Sequence, residues 1–349
     1  MLFRRMFLYR RDAESPRYLP RHHPRSKCVK KLLVLALAAC LAAGSAQAEP
    51  LLIAIANFGP NPVLSQLIDG FKAELAKEGF VEGQQVRYDE RNVNFDRSLA
   101  PQMLEVLASE HPALMLTVTT PLTQSARQVL QTRTFPIVFA PVTDPVAAHI
   151  LPSWTAGGHL ITGASNMPEW PGTYRFIHAL LPQAHRLGVL YNPGDDSDGS
   201  IVAAMQASAA AGGFELVPVG VDNANDIAQR MQQFVGRADV VYIPASSLLQ
   251  PATPAIASAA NRLGLPIINT SPPPVLQGLM LATYSVSWSG VGANAGKLAA
   301  EILKGADPAT LAPLRPLASE QFGMISATRM QAMGMTLPAA LSDCQCVVK

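Results

Sequence analysis

The chain has 349 residues, 49% of them hydrophobic and 15% charged, with a formal net charge of +2 at pH 7. That length and apolar content exclude a disordered chain and predict two compact units with sizeable cores. The positive balance is confined to the first 48 residues, which hold ten basic residues from Arg4 to Lys31 against Asp12 and Glu14. Removing these from the totals of 27 and 25 leaves 17 basic and 23 acidic residues, a net of −6, which argues against a nucleic-acid partner.

Residues 1–48 read as a leader. The basic stretch is followed by the short apolar run Leu32–Ala43 and then by Gly44-Ser45-Ala46-Gln47-Ala48. A basic segment, a short apolar core and an Ala-x-Ala end describe a secretory signal peptide, with cleavage after Ala48 and a periplasmic product. The apolar run is too short to span a bilayer. Val29-Lys30-Lys31 alone makes a normal signal start, so residues 1–28 read as an over-early start. A second cleavage reading is open: Leu37-Ala38-Ala39-Cys40 fits a lipoprotein box that would leave Cys40 lipid-anchored. The apolar run continues past Cys40, which favours soluble export. Only Cys344 and Cys346 then remain; two cysteines one residue apart rarely close an unstrained disulfide, and an exposed tail over 342–349 is expected.

From Leu51 onward short apolar strands alternate with amphipathic helices. Leu51–Ala56 is an all-apolar strand, the pattern of a parallel strand covered on both faces. Leu64–Glu78 carries a helical stripe of Leu64, Leu67, Ile68, Phe71 and Leu75, stopped by Gly79. Strands follow at Gln85–Tyr88, Ala113–Val118 and Pro136–Ala140, with helices at Ala100–Ser109 and Leu122–Leu130 between them. The rhythm restarts near Ile161. Strands are predicted at Leu187–Tyr191, Phe214–Val219, Ala238–Ile243 and Pro266–Asn269, with helices at Ile201–Ala211, Asp226–Phe234 and Pro254–Leu263. Such alternation implies right-handed βαβ crossovers. The fold class is therefore α/β, two doubly wound lobes joined by a multi-stranded hinge. The segment Leu279–Tyr284 and the helix Val291–Lys304 are expected to cross back to the first lobe. The division is 49–162 plus about 285–305 for lobe 1, and 163–284 plus about 306–341 for lobe 2.

In open parallel sheets ligands bind beyond the carboxyl ends of the strands. Those ends carry Asn57-Phe58-Gly59, Thr119-Thr120-Pro121 and Thr143-Asp144-Pro145 in the first half. In the second half they carry Asn192, Ser246-Ser247 and Asn269-Thr270-Ser271. A helix start at Thr119-Thr120 suits a carboxylate, and Asp144 suits an ammonium. Phe58 and Tyr284 are candidate stacking surfaces. Each polar residue also has a plainer use as a helix or turn cap, since Ser, Thr, Asp and Asn before Pro favour helix starts.

Other motifs carry less. Gly290-Val291-Gly292-Ala293-Asn294-Ala295-Gly296 has one residue too many for a dinucleotide fingerprint, and close helix packing explains it better. Asp195-Asp196-Ser197-Asp198-Gly199-Ser200 lacks the later glutamate of a calcium loop and reads as a solvated, capping turn. The histidines from His111 to His185 show no metal spacing. No P-loop or nucleophile elbow is present, so no cofactor is expected and the chain reads as a binder, not an enzyme.

Four stretches resemble a known family: FKAELAKEGFVEGQQV (Phe71–Val86), FPIVFAPVTDPV (Phe135–Val146), LGVLYNPG (Leu187–Gly194) and VVYIPAS (Val240–Ser246). In order and spacing they are similar to ABC-transporter substrate-binding proteins of the tryptophan/tyrosine type, from about Leu51 to Leu341. The resemblance implies a type I periplasmic-binding fold, a small ligand such as an aromatic amino acid, and delivery to a permease and its ATPase. It also implies that Thr119, Thr120, Asp144, Asn192 and Ser246 line the cleft. Two departures stand out: Ala245-Ser246-Ser247 where the family often has Thr-Asp-Asn, and Asn269-Thr270-Ser271 where it often has Ser-Asp. A ligand sensor partnering a membrane receptor or signalling enzyme is the alternative use of the same fold.

Overall fold

The computed structural model describes residues 49–349, and the leader and Cys40 readings lie outside the described residues. Two sheets form the frame of two lobes. The first holds β1 (Leu51–Asn57), β2 (Val86–Asn92), β3 (Leu114–Thr117), β4 (Ile137–Phe139) and β5 (Ile161–Gly163) in the order β2-β1-β3-β4-β5. Every pairing in it is parallel. Leu52 to Asn57 are all buried, because helices cover both faces of a parallel sheet.

The second sheet contains β6 (Arg186–Tyr191), β7 (Glu215–Gly220), β8 (Val240–Ile243), β9 (Ile267–Asn269), β10 (Ala282–Val286), β11 (Gln321–Ser326) and β12 (Val347–Val348). Their order is β12-β11-β10-β9-β8-β6-β7, and only β10 and β11 pair antiparallel. Two expectations are corrected here. The strand near Leu279–Tyr284 does not cross to the first lobe, because β10 is hydrogen-bonded to β9 and β11. The tail is exposed or half-buried throughout 342–349, as expected, but its two cysteines are not left free: Cys344 and Cys346 form a disulfide, and β12 adds to β11.

The first lobe's helices are α1 (Pro62–Lys77), α2 (Ala100–Ser109) and α3 (Thr120–Val129). The second lobe contributes α4 (Trp170–Leu180), α5 (Asp196–Ser208), α6 (Ile227–Gln232), α7 (Thr253–Leu263) and α8 (Pro272–Leu276). The long α9 (Trp288–Leu303) returns to the first core, where Trp288, Val291, Ala295 and Ala299 are buried, and α10 (Ala327–Ala332) follows β11.

α1 starts two residues before the apolar stripe begins. Asn61 caps it by accepting the Val63 N–H at 2.9 Å, and Pro62 supplies the pre-set φ of a first helical residue. α1 and α9 cross in close contact because glycines replace side chains at the crossing. A Cβ on Gly292 would collide with the Leu67 carbonyl, and one on Gly296 would lie 2.8 Å from the Phe71 carbonyl oxygen. The glycine-rich run is thus a packing motif.

Three segments cross between the lobes and pair with one another. Gly163 and Ser165 exchange hydrogen bonds with Leu314, and the Ser287 N–H donates to the Glu320 carbonyl. These crossings are the multi-stranded hinge.

Candidate functional site

Within each sheet the strands run the same way except β11 and β12, and loops that follow several of them line one cleft. The β1 loop brings Phe58, and the Phe95 ring stands edge-on to it with centroids 5.9 Å apart. The β3 loop brings Thr119 and Thr120 at the start of α3. Beyond β4 and β5 come Thr143 and Asn166. The second lobe supplies Ser197 from α5, Ser246, Ser247 and Gln250 after β8, and Ser271 after β9. Trp288, the first residue of α9, closes one side.

The lobes touch at the N-terminus of α5. The Ser197 and Thr143 hydroxyls hydrogen-bond across the gap, and the Gln124 Nε2 donates to Asp196 Oδ2 at 2.6 Å. The segment expected to be a solvated turn is therefore an inter-lobe contact. Its reason is local: Asp195 accepts the Ser197 N–H at 2.9 Å and starts α5 five residues earlier than the apolar pattern indicated.

Behind the serines of lobe 2 lie two sequestered carboxylates. Asp198 is 0% exposed; its Oδ2 accepts the Asn192 N–H at 2.7 Å, while its Oδ1 has no partner. Burial, with Asp195 beside it, pushes its carboxyl up to about 7, against the opposing Asn192 N–H and Ser246 hydroxyl. Burial also raises Asp195, which the Ser197 N–H and the Ser247 hydroxyl oppose.

On lobe 1 the unusual residue is Thr119. Its backbone sits at φ +89° and ψ 155°, a region that a β-branched side chain enters only under strain. Its side chain makes no cap bond to α3, and its buried hydroxyl has no partner. Thr119, Thr120 and Pro121, at the start of α3, all line the cleft.

The expected site residues divide into two groups. Phe58, Thr119, Thr120, Ser246 and Ser247 lie on the cleft wall. The other five do not reach the main cleft. Asn57 donates to Glu90 at 3.2 Å and accepts the Gly59 N–H, tying off β1. Asp144 Oδ1 accepts the Val146 and Ala147 N–H groups at 2.9 and 3.0 Å, so its carboxylate caps its own turn. Asn192 caps the Gly194 N–H. Asn269 holds Gln250 by accepting its Nε2 at 2.9 Å, one layer behind the wall. Tyr284 packs on Phe176 and lines a small annexe that shares Asn166, Ala245 and Trp288 with the cleft.

Among the described residues no cluster of three His, Cys, Asp or Glu side chains is placed to hold a metal ion. No helix among them is long and apolar enough to cross a membrane.

The family model for ABC transporter substrate binding proteins matches residues 52–346. The chain belongs to that family. A tyrosine-binding protein of Clostridioides difficile is 28% identical over 253 residues, covering 72% of each chain. A Streptococcus structure in complex with L-Trp has a TM-score of 0.78 at 24% identity, covering 86% of this chain and all of that one. A ligand-free, open substrate binding protein of Clostridium difficile has a TM-score of 0.66 at 25% identity, covering 86% and 99%. The fold expectation is borne out by these matches.

Within this ABC transporter substrate binding protein, sequence reasoning missed Phe95, Asn166, Ser197, Gln250 and Trp288. Ser197 had a signal, since Asp195 followed two residues later by Ser is an N-cap pattern. Trp288 had one too, as an aromatic one residue after the capping Ser287. Phe95 and Asn166 lie in irregular loops and give no periodic signal.

Proposed function

We propose that this protein is the exported solute-binding component of an ABC uptake transporter. It captures a small ligand between its lobes and presents the closed form to a permease and its ATPase. The observation that carries this reading is the single cleft lined from both sheets, with Thr143 of one lobe bonded to Ser197 of the other. A ligand that touches both walls favours the closed arrangement by its differential contacts, which is the requirement for a binding-driven shift. The ligand class is an amino acid or a close carboxylate analogue with an aromatic body, supported by the tyrosine-binding relative and by Phe58, Phe95 and Trp288 on the wall. The protein acts without catalysis in this reading, and export places it in the periplasm, whether free or held by a lipid on Cys40.

Native mass spectrometry of the protein purified from its own host tests this. A small molecule retained at one per chain and lost on unfolding is expected. Chemical conversion of that molecule by the purified protein, or no retained molecule together with no thermal shift across an amino-acid and organic-acid panel, would overturn it.

A further inference from the structure

Among the described residues nineteen line the cleft, and none of them is Asp, Glu, Lys, Arg or His. An α-ammonium group held between closed lobes would meet no ionised partner on that wall, and burying a cation without one is costly. The carboxylates in contact with the lobe 2 serines are Asp195 and Asp198, and neither lines the cleft. Both are buried, both already accept backbone N–H groups, and burial holds both toward their neutral forms.

The unmatched groups on the wall are of the opposite kind. Trp288 is 5% exposed and its Nε1, a donor only, has no partner. The Thr119 hydroxyl is buried and likewise unpaired. Trp288 and Thr119 stand at the starts of α9 and α3, and the start of α1 also reaches the cleft through Val63 and Leu64. None of these three helices has an acidic residue in its first turn. Asn61 and Ser287 cap α1 and α9, and the Glu320 carboxylate lies near Gly290 in the first turn of α9. The start of α3 has no side-chain cap, so its partial positive charge is left for an anion on the wall that also carries Trp288 with its unpaired indole N–H. An outer groove next to the inter-lobe contact carries Arg97 and Arg127 beside one carboxylate, Asp196, and so favours approach of an anion.

Resting on the solute-binding reading above, we infer that the ligand is an aromatic monocarboxylate that lacks an ammonium group. The carboxylate faces the start of α3 and the Trp288 indole N–H, and the ring lies among Phe58, Phe95 and Trp288. Ser246 and Ser247 meet any polar substituent at the far end.

The test is calorimetry at neutral pH with matched pairs: phenylpropionate against phenylalanine, hydroxyphenylpropionate against tyrosine, indolepropionate against tryptophan. In at least one pair the desamino member binds about tenfold tighter or better, a difference of about 1.4 kcal/mol. Phenylpropionamide, which keeps the shape and loses the charge, binds more weakly than phenylpropionate. Trp288→Phe keeps a ring and removes the N–H, and lowers carboxylate affinity about tenfold with an unchanged far-UV spectrum. Amino acids that bind as tightly as their desamino partners in every pair that binds overturn the inference, as does equal binding of the amide. A natively retained solute with a primary ammonium overturns it and leaves the solute-binding reading intact. No binding by any member of any pair also overturns it, and only an empty native protein with an empty wider panel removes the broader reading as well.

Discussion

The two walls of the cleft are built on different principles. Lobe 1 presents helix starts with no acidic residue in their first turns, backed by an apolar core in which α1 and α9 cross on glycines. Lobe 2 presents serines whose backing is polar: Asp195 and Asp198 are buried beneath them at the start of α5. The first wall depends on backbone geometry, which does not titrate. The second depends on two carboxylates whose protonation follows pH. The same strand-end architecture therefore yields a rigid recognition face on one lobe and a titratable support on the other.

The largest expected effect breaks the lobe 1 side. Gly292→Val places a branched side chain against the Leu67 carbonyl, and a backbone atom cannot rotate aside. Replacing a helical glycine gains at most about 1 kcal/mol of propensity. Overpacking costs about 3 kcal/mol or more when backbone must move. Chemical denaturation is expected to show a net loss of about 2 kcal/mol or more, with ligand affinity falling as the α9 start shifts. Unchanged stability would mean that the crossing is not close.

The next effect belongs to lobe 2. Asp198 has a folded-state value raised to about 7 from an ordinary 3.8. In the unfolded chain its proton leaves near pH 4, whereas in the folded chain it is held until about 7. The folded state binds more protons across that interval, so Asp198 lowers stability progressively as pH rises through it and by a constant amount above. Asp198→Asn removes this penalty. The variant is expected to match the parent below pH 4 and to exceed it by a few kcal/mol at pH 8. Urea melts across that range check the sign. A variant less stable at pH 8 would mean that the ionised carboxylate is stabilised there.

How much of this was legible in the sequence follows from where regular patterns stop. The strand–helix alternation located both sheets because burial on two faces gives continuous apolar runs such as Leu52–Ala56. It missed α4, whose first turn, Trp170-Pro171-Gly172, carries two poor helix formers, and it began α5 late because the first turn is acidic and polar. At the site, strand ends were readable and side-chain direction was not. Thr143 and Asp144 are neighbours after the same strand, yet Thr143 bonds across the cleft while Asp144 folds back on its own turn. Trp288 reaches the cleft only because α9 returns to the first core, a long-range event that no local pattern encodes.

Asp144 supplies the smallest and sharpest contrast. Read alone, a carboxylate between Thr143 and Pro145 suits either a turn cap or an ammonium partner, and the two roles separate in one variant. In the structure Oδ1 takes two backbone N–H groups, from Val146 and Ala147. Asp144→Ala is therefore expected to cost about 1 kcal/mol of stability, the usual loss for a cap. Asp144→Asn, which keeps an acceptor oxygen, costs less. Ligand affinity, measured by calorimetry on either variant, stays within about twofold of the parent, because no charge is withdrawn from the wall. A tenfold loss of affinity in the Asn variant, about 1.4 kcal/mol, would place the carboxylate against the ligand. It would also restore an ammonium-bearing solute to the lobe 1 side of the cleft.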